Sequence, residues 1–112
     1  MNHPAQSRLK ADIQRLLSTM IIRDVSDPRL HGISITRVEL TGAHALNVWV
    51  HAIQEVDPDV CVRQLMRMKP HFEHALRRAM PRRRIPALRF QWDYAADRAH
   101  SVQDRLRLIR EK

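Results

Sequence analysis

Nine basic residues, Arg63, Arg67, Lys69, Arg77, Arg78, Arg82, Arg83, Arg84 and Arg89, fall between Val60 and Trp92 against a single acid, Glu73. The rest of the 112-residue chain balances, so its whole net charge of +8 resides in that stretch. A local field of this kind attracts polyanions and is the main sequence-independent contribution to nucleic-acid affinity. Arginine supplies 17 of the 20 basic residues, and its planar fork of donors matches phosphate oxygens and stacks on bases. The bland alternative is a solvated helix end carrying Arg77, Arg78, Arg82, Arg83 and Arg84, favoured there by the helix dipole. The missing counter-charge argues against it, because a surface shaped only for solubility mixes its signs.

Other residues could in principle carry catalysis, and each has a simpler reading. His71 and His74 are spaced to share a metal on one helix, but no Asp, Glu or Cys follows at i+4 to complete a zinc signature. Cys61 falls on the apolar face of its helix, where a small buried hydrophobe is the usual role. Asp27 and Asp93 sit at element boundaries, where aspartate organises turns and caps. No glycine-rich loop cradles a phosphate. No catalytic residue, cofactor or metal is therefore expected. Trp92 shares the parity of Leu88 and Phe90 and belongs to the core, whereas Trp49 lies out of phase with Val48 and Val50, on the opposite sheet face. An exposed aromatic there could stack a base, unless a sheet edge or the final helix covers it.

These residues need a scaffold, and the apolar pattern supplies one. From Ser7, placed to cap, Leu9, Ile13, Leu16, Leu17, Met20 and Ile21 recur at helical spacing, predicting a first helix to about Ile22 or Arg23. Asp27-Pro28 turns the chain out of helical geometry, with Asp27 and Arg29 fixing the turn into the sheet. Ile33 and Ile35 alternate, then Val38 and Leu40 in the opposite parity, which predicts a strand with a bulge near Thr36-Arg37. Gly42 marks a turn, and Leu46, Val48, Val50 and Ala52 complete a hairpin. After the Glu55 to Asp59 loop, Cys61, Leu65, Met68, Phe72 and Leu76 keep helical phase across Pro70, so a kink or a junction of two helices is expected at Lys69-Pro70. Leu88, Phe90 and Trp92 give a third strand, and Ala95, Ala99, Val102, Leu106 and Ile109 a last helix.

The length suits one compact domain, residues 1–112, with a core over 7–96 and a C-terminal helix over 97–110. Hydrophobic residues make up 44% of the chain but aromatics only 4%, so packing rests on aliphatic side chains and leaves little room for a large buried ligand. The lone cysteine makes no internal disulfide, and neither a signal-peptide run nor a membrane span is present, so a cytoplasmic protein is expected.

Along nearly its whole length the chain resembles ribosome-binding factor A, a bacterial factor for maturation of the small ribosomal subunit. The likeness is carried by Asp27-Pro28-Arg29-Leu30, Val38-Glu39-Leu40, Val48-Trp49-Val50, and Arg83 with Ile85-Pro86-Ala87-Leu88-Arg89-Phe90 running on to Asp93. It implies an α+β, type II KH-like fold of order α-β-β-α-kink-α-β with a C-terminal helix, whose helix–helix junction faces RNA. Ordinary KH domains clamp the RNA backbone there with a GXXG loop. Here the only glycines are Gly32 and Gly42, both far from the junction. The family's kink has the pattern Ala-X-Gly, and this chain has Met68-Lys69-Pro70 instead. Its hairpin turn, Thr41-Gly42-Ala43-His44, is also shorter than usual.

The resemblance turns the basic stretch into an expected RNA surface made of Arg63, Arg67, Lys69, Pro70, His71, Arg77, Arg78, Arg82, Arg83, Arg84 and Arg89. It implies a monomeric, non-catalytic 30S maturation factor that binds 16S rRNA on the free subunit and assists late rRNA processing, with assembly GTPases as candidate protein partners. Two other readings fit the charge: a general nucleic-acid binder or RNA chaperone without ribosome specificity, and an interaction module whose basic face docks an acidic partner or an anionic membrane surface.

Overall fold

Helix α1 spans Pro4–Asp24 and buries Ile13, Leu17, Met20 and Ile21 along one stripe. The computed structural model describes residues 4–42, 44–99 and 106. Within it α1 is already helical at Pro4, so Ser7 lies inside the helix and does not cap it. Proline is at home in a first turn, where its missing N–H has no intrahelical partner to lose. A 3-10 turn, Pro28–Leu30, follows. Asp27 caps it by accepting the Arg29 amide at 2.9 Å and holds the Arg29 guanidinium at 2.8 Å. The Arg29 side chain lowers the Asp27 carboxyl below the ordinary aspartate range, so this pair holds the turn as the sequence suggested.

Strands β1 (Ile33–Thr41) and β2 (Ala45–Ala52) form the antiparallel hairpin. Ile35 pairs with Val50 and Arg37 with Trp49, so the register shifts at Thr36. This bulge is why the apolar parity flips between Ile35 and Val38. Gly42 adopts φ 63°, the left-handed geometry that glycine enters without a Cβ penalty. Asp57 caps α2 (Pro58–Arg67), and β3 (Ala87–Trp92) returns parallel to β2, giving sheet order β1-β2-β3.

The expected junction is present. Helix α2 stops at Arg67, Met68 takes φ −88° and ψ 0°, and α3 runs Lys69–Ala79. Pro70 occupies the second position of α3, where an amide has no intrahelical acceptor, so it starts the second helix at no cost in hydrogen bonds. Leu46, Val48 and Val50 of β2 and Leu88 and Phe90 of β3 meet Cys61, Leu65, Phe72 and Leu76 and the α1 stripe in one hydrophobic core. All three helices thus contribute to the layer that covers one face of the sheet.

Residues 94–99 open a fourth helix, α4. Asp93 caps it through the Ala96 amide at 3.1 Å and ties it back to the bulge through the Thr36 hydroxyl at 2.6 Å. The rest of the expected C-terminal helix lies outside the described residues except for Leu106, which is helical. Trp92 is buried as its parity required, and its indole N–H donates to Asp97 at 2.7 Å.

Candidate nucleic-acid interface

The basic stretch occupies α2, α3, the connection to β3, and β3 itself, and its members divide into three groups. Arg63, Arg67, Arg77, Arg78, Arg82 and Arg84 are exposed and have no carboxylate within ion-pair distance among the described residues. Arg63 and Arg67 lie one turn apart on α2, Arg77 and Arg78 close α3, and Arg82 and Arg84 follow in the connection. Their fields reach solvent uncompensated, which is what phosphate contact requires.

A second group is held by the fold. The Arg83 guanidinium donates to Asp12 of α1 at 2.5 Å and is only partly exposed, and this contact lowers the Asp12 carboxyl. Lys69 lies 3.5 Å from Glu73 one turn along α3. His71 meets Asp24, at the end of α1, at 2.9 Å. Arg83 and His71 therefore tie the connection and α3 to α1, while Lys69 pairs within α3. Pro70 is exposed beside them. His74 is also exposed, and no cluster of metal-ligating side chains occurs among the described residues.

Arg89 stands alone. In β3 the odd-numbered residues Arg89 and Gln91 face away from the helices, so Arg89 is on the open side of the sheet, not beside the α2–α3 junction. The alternation of Leu88, Phe90 and Trp92 carried that information, and the expected single surface is corrected accordingly.

The acid inside the patch has a role the sequence did not reveal. β3 is an edge strand, and its outward amides need acceptors. Glu73 accepts the Leu88 amide at 2.8 Å, and the Met66 sulfur accepts that of Phe90 at 3.4 Å. These contacts pin the outer edge of β3 to α3 and α2, and the α2–α3 junction itself contains no glycine. Glu73→Ala leaves the Leu88 amide without its acceptor and should lower stability by about 1–3 kcal/mol in urea denaturation.

Asp24 provides a pH test of the ion-pair cluster that closes α1. Arg23, then His71, hold its carboxyl down to about 2. A depressed carboxyl stabilises the fold above its unfolded value near 4 and loses that contribution as pH falls toward 2. Asp24→Asn should therefore be less stable than the parent at pH 7, with the difference closing between about pH 4 and pH 2 when thermal melts are compared. Cys61 is fully buried, and burial pushes its thiol up to about 11. It is a core side chain and not a nucleophile at neutral pH.

Residues 5–106 match the family model for ribosome-binding factor A. The chain belongs to the ribosome-binding factor A family. It is 32% identical over 102 residues to ribosome-binding factor A of Xanthomonas euvesicatoria pv. vesicatoria, covering 89% of this chain and 78% of that one. The crystal structure of ribosome-binding factor A from Thermus thermophilus superposes with a TM-score of 0.67 at 31% identity, over 77% of this chain and 92% of that one. A homology model of the Thermus thermophilus ribosome-binding factor A, fitted into a cryo-EM map of its complex with 30S, gives a TM-score of 0.63 at 32% identity, over 75% of this chain and 91% of that one. The α+β, KH-like fold expected from the resemblance is thereby shown, and the relatives are named for ribosome binding, not for a reaction.

Proposed function

We propose that this protein is a 30S maturation factor that binds 16S rRNA on the free subunit and assists its late processing, as a monomer in the cytoplasm. The observation that carries the reading is the set of six exposed arginines from Arg63 to Arg84, without an ion pair among the described residues, on the helix side of a ribosome-binding factor A fold. The Thermus thermophilus relative in its complex with 30S supports the choice of partner. Binding by side-chain forks on phosphates recognises the shape of folded RNA more than its sequence, and the binding free energy then favours the RNA conformation that fits. No helix among the described residues is long and apolar enough to cross a membrane.

Sedimentation of lysate on sucrose gradients tests the proposal. The protein should travel with free 30S subunits and not with 70S ribosomes, and should leave them between roughly 50 and 200 mM salt, the range over which several phosphate contacts are lost. A protein that spreads over all RNA-containing fractions is a general nucleic-acid binder, and one that stays at the top of the gradient at every salt has no ribosomal role.

A further inference from the structure

The sheet face turned away from α1, α2 and α3 carries a composite surface of its own. Arg37 of β1, Trp49 of β2 and Gln91 of β3 are register partners across all three strands, and Asn47 and Arg89 form the neighbouring step. The Arg37 guanidinium carbon lies 3.9 Å from the centroid of the Trp49 ring. Gln91 donates to the Asn47 side-chain carbonyl at 2.7 Å, and Asn47 in turn donates to the Thr41 hydroxyl. Arg37, Arg89 and Gln91 are exposed, and Trp49 is half-buried with Arg37 over it.

We propose that this face is a second RNA-binding site, one for unpaired nucleotides, separate from the phosphate-binding helix face. The chemistry selects the ligand. A base can stack on an indole or on a guanidinium plane, and the Arg37–Trp49 pair presents both in one unit. The Asn47–Gln91 amides are already aligned by their mutual hydrogen bond and keep further donors and acceptors for a base edge. Two acids border the site: Glu39, the register partner of Asn47, lies 3.5 Å from Lys10, and Asp93 caps α4 and holds Thr36. Neither Arg37 nor Arg89 has a carboxylate within ion-pair distance among the described residues, so both guanidinium groups are available to a phosphate backbone. Arg89 also continues the basic stretch that begins on the helix side, joining the two surfaces along the chain. Adjacent strands are about 4.8 Å apart, so the Arg37–Trp49–Gln91 row spans room for only two or three splayed nucleotides.

The site goes beyond the 30S reading and does not depend on it, because a free oligonucleotide probes it. Octauridylate is titrated into the full chain carrying Trp92→Phe, leaving Trp49 as the only indole. Saturable quenching of Trp49 emission is expected. Arg37→Ala with Gln91→Ala, or Trp49→Leu read by oligonucleotide anisotropy, should weaken binding roughly ten- to a hundredfold, the range for losing one stacked base. The helix-side pair Arg82→Glu and Arg84→Glu should change this affinity far less than it changes 30S association. Circular dichroism keeps loss of fold apart from loss of binding, and Arg89→Gln, an exposed change, gives an independent reading. The proposal is overturned if Trp49 is not quenched, if the sheet-face variants bind like the parent, or if the helix-side pair alone abolishes binding. Association of the parent with 30S subunits is scored separately, so failure of this site leaves the 30S reading standing, and the reverse.

Discussion

Reversing three charges, Arg78→Glu, Arg82→Glu and Arg84→Glu, should weaken association with 30S subunits on the order of a hundredfold or more at roughly 0.1–0.2 M salt, and should flatten the slope of log affinity against log salt by about 2–3. Each phosphate contact that is lost no longer releases a counterion, and the new carboxylates repel the backbone as well. All three side chains are exposed and carry no ion pair among the described residues, so the fold should keep its stability to within about 0.5 kcal/mol. Arg83 is left out of this variant because Asp12 holds it at 2.5 Å, and its reversal would place two carboxylates together at the α1 contact. Arg83→Glu alone should therefore lower the melting temperature, a result that would be misread as a binding defect if stability were not measured beside affinity. An unchanged salt slope in the triple variant would show that phosphate contact lies elsewhere on the molecule.

The separation of Arg83 from its neighbours shows what could be read from the sequence and what could not. Features set by local chain geometry were legible. The bulge at Thr36 followed from the parity switch between Ile35 and Val38, and the helix junction at Met68 followed from Pro70 inside an apolar repeat that otherwise stayed in phase. The open-face position of Arg89 and Gln91 is also present in the alternation of β3, though a charge count alone groups Arg89 with the helix side. What a linear pattern cannot carry is the partner of a charged side chain. Asp12 and Arg83 are 71 residues apart, and Asp24 and His71 are 47 apart. They meet because α1 packs beside α3, and only that packing decides which cations are left without a carboxylate partner among the described residues. Glu73 makes the same point from the opposite sign. In sequence it is an isolated acid that dilutes a basic patch, whereas in the fold it supplies the acceptor that an edge strand needs.

The start of α1 and the faces of the two tryptophans show the limits of local signals in a different way. Ser7 is a good cap by residue type, yet helix formation extends past it to Pro4, since a capping serine still tolerates a helical position when the flanking residues permit another turn. Parity separates Trp92 from Trp49, but the partners that define them, Asp97 for one and Arg37 for the other, come from other elements. Asp97 also pairs with the His51 ring at 2.6 Å, so the first turn of α4 is fastened to β2 and β3 together.

Phe72→Ala should be the most destabilising single substitution in the helix layer, costing about 3–5 kcal/mol in urea denaturation. Phe72 is fully buried in α3, two residues after Pro70, and meets Phe90 of β3 edge-on with ring centroids 5.8 Å apart. Aromatics are only 4% of the chain, and both of its phenylalanines meet in this seam. Truncation removes the buried ring, forfeits the edge-to-face contact and leaves a cavity between α3 and the edge strand. Phe90 is also the residue whose amide rests on the Met66 sulfur, and Leu88, held by Glu73, lies two positions before it. The void therefore opens where α2 and α3 grip β3. Against a total stability of roughly 5–15 kcal/mol for a small protein, such a loss leaves a substantial unfolded fraction under mild denaturing conditions. Phe72→Leu, which keeps most of the buried volume, should cost less than half as much. A cost below about 1 kcal/mol for the alanine variant would mean that the seam can collapse, and that α3 is held to β3 chiefly by Glu73 and not by packing.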